Sequence, residues 1–200
     1  MARRQPSDAD LQEDSHHVLY EMEQLAGAVN RLAGIAAAGQ KPPDIDANAL
    51  LENVALHARA LIEFAYGDPK KARSDDVIAA DFLPEWPDIR PEMTDFLEEV
   101  KWRVGKEMMH ITRARSIAEE VRRWKYGRIY NELSNILTGF IVQVPPEKVQ
   151  PNFPVRAMNA FPAARQQNRL KENESLLGSA HSPTITGATQ AAPGIDLQDE

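Results

Sequence analysis

The sequence predicts an all-α fold: a four-helix antiparallel bundle with a long apolar loop packed on it and a disordered C-terminal tail. Four segments carry apolar residues at steps of three and four, which is the period of an amphipathic helix. No segment alternates between apolar and polar residues as a half-buried strand does. Short and medium connections between consecutive helices favour antiparallel neighbours. We expect the helical bundle domain at residues 7–144 and the Pro-rich, largely disordered tail at residues 145–200.

The first two predicted helices span residues 7–38 and about 46–66. Ser7 and Asp8 are candidate N-caps of the first helix, and Gly39 is suited to end it. The apolar stripe of the first helix is Leu11, Val18, Met22, Leu25, Val29, Leu32 and Ala36, and that of the second is Leu50, Leu51, Val54, Ala58, Leu61, Ile62 and Ala65.

A long connection at residues 67–91 follows the second helix and is too rich in proline for a long helix. It nevertheless contains large apolar side chains, namely Val77, Ile78, Phe82, Leu83 and Trp86. A connection with this many apolar groups is expected to pack over the bundle.

The third helix is predicted to begin at Pro91, a favourable residue for a first turn, and to reach about Ile111. The charged residues 112–123 read as a loop with a helical turn. The fourth helix is predicted at about 124–143, with Pro145 and Pro146 behind it. The core stripes are Met93, Leu97, Val100, Val104, Met108 and Ile111 in the third helix and Ile129, Leu133, Ile136, Leu137, Phe140 and Ile141 in the fourth.

The composition changes after residue 144. Seven of the fourteen prolines lie in residues 145–200, among scattered Gly, Ser, Thr and Gln without a sustained period, which is typical of a disordered segment. The stretch NFPVRAMNAF at 152–161 is an exception, because it concentrates apolar residues. We expect it to dock on the bundle or on a protein partner.

Composition also bounds the function. The chain has no cysteine, which excludes a disulfide framework and thiol chemistry. No apolar run approaches the length of a membrane span. The sequence is therefore interpreted as a soluble cytoplasmic protein without a membrane contact, and no motif in it indicates a cofactor or a metal.

The charge is unevenly distributed. The whole chain carries −7, but residues 101–128 hold nine Lys and Arg against three Glu, or +6, so the remainder carries −13. A local basic segment can attract a phosphate backbone, which makes RNA a predicted partner and Lys106, Arg113 and Arg115 candidate contacts. The alternative is a solvated helix face.

The stretch RVGKEMMHIT at 103–112 holds the candidate catalytic pair, Arg103 and His110. In an α-helix seven residues are two turns, so both side chains lie on one flank of the buried stripe, with Glu107 between that flank and the stripe. A histidine can act as acid or base near neutral pH, and an arginine can clamp phosphate oxygens. Glu107 would support the pair. In the alternative, His110 is half-buried and bonded to Glu107 or a carbonyl, and Arg103 is an ion-pair partner on the surface.

Two other constellations are weaker. The motif ExxH occurs at Glu13–His16 and at Glu107–His110, but Glu13 points away from the apolar stripe of its helix, so a di-iron site is not predicted. His57 lies at the edge of the second apolar stripe and Arg59 points the opposite way, so His57 is expected to be a satisfied histidine at the edge of the core.

The R-x6-H pattern of Arg103 and His110 resembles that of the HEPN superfamily. The stretches LHARALIEFAY at 56–66, DDVIAADFLPEW at 75–86 and VGKEMMHIT at 104–112 also resemble an uncharacterised bacterial helical family associated with it. The resemblance implies a small, often dimeric helical domain of RNA processing, toxin or defence type, with a metal-independent ribonuclease site. Val104 stands where that family usually carries Asn, Asp or His.

The last sequence feature is Trp102, which lies opposite the core stripe of the third helix. A tryptophan in that position is exposed or covered by the loop, the tail or a second subunit. It predicts a homo-oligomer or a protein partner on this face. Two functions follow as hypotheses: a HEPN-like ribonuclease, or a non-catalytic helical interaction module acting as a dimer or as a subunit of a larger assembly.

Overall fold

The computed structural model describes Arg3 and residues 5–39, 44–108 and 124–162. These residues form helices and connections without a strand, which confirms the all-α class. In chain order the helices are α1 (Asp8–Ala37), α2 (Asp44–Tyr66), α3 (Ala79–Phe82), α4 (Trp86–Ile89), α5 (Asp95–Arg103), a π-helical turn (Val104–Met108), α6 (Tyr126–Gln143), a 3-10 turn (Pro146–Lys148) and α7 (Phe153–Ala160).

The four longest helices form an up-down-up-down bundle. α1 and α2 follow each other within a few residues, and Glu21 near the middle of α1 pairs with His57 in the second half of α2, so the two helices run antiparallel. α5 runs antiparallel to α2, because Lys101 meets Glu63 while Arg59, earlier in α2, lies against Gly105.

α6 is antiparallel to α5. Thr94 donates to Glu132 from the start of α5, and Arg128, one turn earlier in α6, stacks over Phe96. The order of the four helices therefore agrees with the antiparallel bundle that the sequence predicts.

A capping box begins α1. The Ser7 hydroxyl accepts from the Asp10 N–H at 3.2 Å, and the Asp10 carboxylate accepts from the Ser7 N–H at 2.9 Å. Two of the N–H groups that the first helical turn leaves unpaired are satisfied in this way. The helix ends before Gly39, whose φ of 62° is a conformation that favours glycine.

The connection at 67–91 packs on the bundle, as its apolar content predicts. Phe82 and Trp86 are fully buried. The Phe82 ring meets Phe64 and Phe140, and the Trp86 ring meets Phe140, all edge to face with ring centroids 5.6–6.0 Å apart. The Trp86 indole N–H donates to the Ala65 carbonyl at 2.9 Å. The two short helices of this segment, α3 and α4, are shorter than a period-based prediction can detect.

Arg3 ties the N-terminal segment to the same connection. Its guanidinium donates to both oxygens of Asp81, with Nη2 at 2.9 Å from Oδ2, and to the Arg73 carbonyl. Asp81 is buried and also accepts from the Ile78 N–H, so Arg3 supplies the cation that its carboxylate requires.

α5 begins later than the sequence predicts. The predicted start at Pro91 is replaced by Asp95, because the Thr94 hydroxyl accepts from the Leu97 N–H at 3.2 Å and caps the helix there. Residues 91–94 are therefore outside the helix.

The packed region extends past the predicted boundary at residue 144. Phe153, Ala157 and Phe161 are buried in the main core. The Tyr130 hydroxyl donates to the Ala160 carbonyl at 2.6 Å, and burial raises the pKa of Tyr130 to about 12. Apolar residues that a composition count assigns to the tail thus complete the core, and residues 152–161 dock on the bundle.

The segment is held on α1 as well. The Gln150 N–H donates to the Ser15 hydroxyl at 3.0 Å, and Arg156 donates to both oxygens of Glu23. Because Phe153 and Phe161 face the core, a protein partner of residues 152–161 would contact only the outer face of this segment. Residues 163–200 lie outside the described residues. Within the described part of the chain, no helix is both long and apolar enough to cross a bilayer.

The burial of α7 makes a stability prediction. Phe161→Ala is expected to lower the free energy of unfolding by about 3–5 kcal/mol, because it removes a buried aromatic ring and leaves a cavity. Val155→Ala on the same helix is the matched control, since Val155 is 66% exposed, and it should change the value by less than about 0.5 kcal/mol. Urea unfolding followed by circular dichroism measures both; equal, small effects would contradict the placement of α7.

Candidate functional site

Arg103, the last residue of α5, is buried, with 9% of its surface exposed. Its position follows from the amphipathic pattern, because Val100 and Val104 beside it are core residues and draw this flank of the helix inward. The side chain therefore carries a permanent positive charge to the edge of the core.

Glu107 neutralises that charge. Nε of Arg103 lies 2.9 Å from Oε1 of Glu107, and Nη2 lies 3.0 Å from Oε2. Two parallel N–H···O bonds of this kind form the strongest common arrangement of a guanidinium and a carboxylate. The Glu107 side chain is only 14% exposed, so the pair is screened by water much less than a surface salt bridge.

Two further groups surround the guanidinium. The Arg103 Cζ lies 4.3 Å from the centroid of the Trp124 ring, a cation–π contact between α5 and the residues that lead into α6. Nη1 lies 3.9 Å from the carboxylate of Glu99, one turn earlier in α5. Among the described residues, two carboxylates and an aromatic face thus meet one guanidinium.

The chain changes its helical geometry directly after Arg103. Residues Val104–Met108 form a π-helical turn, in which the backbone bonds skip one residue more than in an α-helix. The turn is wider, so the seven-residue spacing of Arg103 and His110 no longer equals two α-helical turns. The predicted common direction of the two side chains rested on α-helical geometry, which does not hold over this segment.

Gly105 lies within the π-helical turn, where Arg59 of α2 approaches closely. A Cβ at this position would lie 2.8 Å from Nη1 of Arg59. Arg59 also donates to Glu63 at 3.2 Å, and Glu63 lies 3.9 Å from Lys101. The missing side chain of Gly105 therefore lets the Arg59 guanidinium of α2 pack against the π-helical turn.

The remaining predicted site residues divide into two groups. Lys106 is exposed on the π-helical turn, and Glu107 is the partner of Arg103. His110, Arg113 and Arg115 lie outside the described residues. The structure therefore brings together Arg103 and Glu107 of the candidate catalytic set and leaves the histidine and two of the candidate nucleic-acid contacts as predictions.

His57 is placed as the sequence predicts, at the edge of the core and bonded. It is 6% exposed, and its Nδ1 lies 2.6 Å from Oε2 of Glu21. Tyr20 packs against its ring edge to face. Arg59 points to the other side of α2, toward α5, so the two residues do not share a site.

No group of three or more His, Asp or Glu side chains suited to a metal ion occurs in the described part of the chain. Among the described residues, the centre of this arrangement is the ion pair between the Arg103 guanidinium and the Glu107 carboxylate. Its chemistry is that of a buried ion pair: it fixes the end of α5 and the approach to α6.

Sequence reasoning named Glu107 as a supporting residue, but it did not pair Glu107 with Arg103 and it missed Trp124. The spacing of four residues between Arg103 and Glu107 is a standard helical ion-pair signal that could have found the pair. Trp124 carries no such signal, because it reaches Arg103 from another part of the chain through the fold.

Comparison with protein-family models, with curated proteins and with solved structures finds no match for this chain. The resemblance to the HEPN superfamily stays a prediction.

The site predicts different effects for the two glutamates. Glu107→Gln is expected to lower the free energy of unfolding by about 1–2 kcal/mol, because it removes the charge that faces a buried guanidinium and turns an amide N–H₂ toward its donors. Glu99→Gln is the matched control. The Glu99 side chain is 56% exposed and lies farther from the guanidinium than Glu107 does. Glu99→Gln should therefore lower the free energy of unfolding by less than about 0.5 kcal/mol. Urea unfolding of the two variants measures the difference; equal losses would contradict the assigned roles.

Proposed function

We propose that this protein is a non-catalytic helical interaction module, which acts in the cytoplasm as a dimer or as a subunit of a larger assembly. The observation that carries the proposal is the state of Arg103. Its guanidinium is buried, bonded twice by Glu107 and stacked on Trp124.

The electrostatics of Arg103 support this role. A phosphate-binding arginine offers an unmatched charge and a free edge of donors. Here Glu107 takes two of the five N–H donors, and Glu99 and Glu107 together supply more negative charge than the guanidinium balances.

The exposed side of α5 also supports an interaction role. Trp102, adjacent in sequence to Arg103, is 55% exposed. A large aromatic side chain on an exposed helix face is a feature of protein contacts, where tryptophan is enriched. Arg103 therefore holds one side of α5 against the core, and Trp102 lies on the opposite side, which is exposed to solvent.

The second candidate is a metal-independent ribonuclease. The observation that favours it is the π-helical turn after Arg103, since such turns are frequent at functional sites and this one lies within the basic segment 101–128. In this reading His110 acts as base or acid, Lys106, Arg113 and Arg115 contact RNA, and a second subunit supplies the opposite group. Arg103 would then have to leave Glu107 to reach a phosphate.

One experiment separates the two functions. Purified wild type, His110→Ala and His16→Ala are incubated with total RNA without divalent metal, and cleavage is followed on a denaturing gel. The interaction module predicts the same background for all three proteins. His16 is exposed on α1 and serves as the matched histidine control.

Cleavage by wild type and His16→Ala that is lost in His110→Ala would overturn the interaction proposal and establish the ribonuclease. Equal cleavage in all three preparations would indicate a contaminating nuclease, so an equal background in the three proteins, or no cleavage by any of them, is the result that the proposal requires.

A further inference from the structure

Arg3 attaches the N-terminal segment to the rest of the chain. Of the described residues ahead of Ser7, namely Arg3, Gln5 and Pro6, only Arg3 forms a hydrogen bond or an ion pair. Its hydrogen-bond partners lie 70–78 residues later, in the connection at 67–91. The segment before α1 is therefore held by one side chain, and that side chain is a guanidinium.

The site that Arg3 occupies matches the shape of a guanidinium. Nη1 and Nη2 donate to the two oxygens of Asp81, and Nε donates to the Arg73 carbonyl at 2.8 Å. Nη2 also donates to the Asp76 carbonyl. Oxygens of the connection thus accept from all three nitrogens of the guanidinium. A lysine ammonium carries its donors on one atom and cannot reach this planar set of acceptors together.

The burial of Asp81 makes a cation necessary at this site. The Asp81 side chain is only 5% exposed, and its carboxylate also accepts from the Ile78 N–H at 3.1 Å. A buried carboxylate carries a large desolvation cost, which is offset only when a cation and hydrogen-bond donors face it. The buried charge therefore selects a cation, and the arrangement of acceptors selects a guanidinium.

The site lies between the connection and α1. Hydrogen bonds to Asp81 raise the pKa of Arg3, while burial opposes the rise. The carboxylates of Asp76 and Asp14 also raise this pKa, so both lie near the guanidinium. Asp14 follows Ser7 by seven residues, about 10 Å along an α-helix, and four extended residues span at most about 14 Å. Arg3 therefore lies beside the first two turns of α1 and joins them to the connection.

The site is also coupled to the aromatic core. Asp81 and Phe82 are neighbours in α3, and Phe82 and Trp86 are fully buried against Phe140. When Arg3 leaves, the Asp81 carboxylate regains solvation only by moving toward water, and this movement draws Phe82 with it. Local opening of one segment requires less free energy than unfolding of the whole bundle. The connection is therefore the part of the molecule that responds to Arg3.

We propose that the cleft around Asp81 is an arginine-binding site, which Arg3 fills from within the chain and thereby holds the connection closed over the core. The class of ligand is an alkylguanidinium, that is, an arginine side chain. With Arg3 seated the connection is closed, and with Arg3 withdrawn the site accepts an arginine side chain from outside. This inference goes beyond the proposed function and uses no residue of α5.

Hydrogen exchange of the full chain, followed by mass spectrometry, tests the inference. Arg3→Ala is expected to raise the exchange rates of amides in residues 76–90 about tenfold, because the connection opens locally. Amides of α2 and α6 should exchange as in wild type. Circular dichroism checks that the variant keeps its helices.

Ethylguanidinium is the probe of the emptied site, because it supplies the atoms that Arg3→Ala removes beyond Cβ. A ligand of this size is expected to bind with a dissociation constant on the order of 1–10 mM. At such concentrations it should return the exchange rates of Arg3→Ala toward the wild-type values. Ethylammonium at equal ionic strength should not, and wild type should respond to neither cation.

Arg156→Ala is the matched control. Arg156 also donates to both oxygens of a carboxylate, that of Glu23, but these side chains are 43% and 36% exposed. This variant should neither open the connection nor respond to ethylguanidinium. Arg3→Lys keeps the charge of Arg3 without its planar donors, so it should raise the exchange rates of the connection, but less than Arg3→Ala does.

Unchanged exchange at residues 76–90 in Arg3→Ala would overturn the inference. A general loss of helix in this variant would overturn it as well, because Arg3 would then support the whole bundle. An opened connection that both cations close equally, or that neither closes, would contradict an arginine site, and so would wild-type exchange in Arg3→Lys. The RNA cleavage assay tests the proposed function separately, so either conclusion can fail without the other.

Discussion

Arg103 places a permanent charge at the edge of the core, and a guanidinium that is 9% exposed is stable there only if its charge and donors are matched. Glu107 matches them from the next turn, and Trp124 covers the face of the guanidinium. The pairing of Arg103 with these neighbours fixes the end of α5 and holds the residues that lead into α6 against α5. It lies directly before the π-helical turn that begins at Val104.

The same helix is built differently on its two sides. Toward the core, Arg103 is held by neighbours on its own chain. Toward solvent, the adjacent Trp102 is 55% exposed. An arginine held in this way is suited to rigidity rather than to phosphate capture, and a rigid helix loses little conformational freedom when a partner binds it. The proposed function follows from this division of roles between adjacent residues.

Local patterns in the sequence predicted the bundle well, because helix period, the Ser7 cap and the stop at Gly39 are properties of neighbouring residues. The sequence placed Glu107 beside Arg103 and His57 at the edge of the core for the same reason. It singled out residues 152–161 as a segment that docks on the bundle or on a partner, but it could not decide between the two, since Phe153 and Phe161 lie in a Pro-rich context and are buried by distant residues. Nor could it predict the contact of Trp124 with Arg103 or the close approach of Arg59 to Gly105, which depend on the packing of separate helices. A single π-helical turn leaves no signature in the residue pattern, so the sequence predicts an α-helical alignment of Arg103 with His110.

The central claim is that Arg103 acts as a structural cation through Glu107. A double-mutant cycle with Arg103→Met, Glu107→Leu and the double variant tests it most directly, with the free energy of unfolding measured in urea. Each single variant removes the main partner of a charge at the edge of the core, so the cycle should give a coupling energy of about 2–3 kcal/mol, and the double variant should be more stable than either single one. Single effects that add to within about 0.5 kcal/mol would contradict the claim, because they would show that Arg103 does not depend on Glu107.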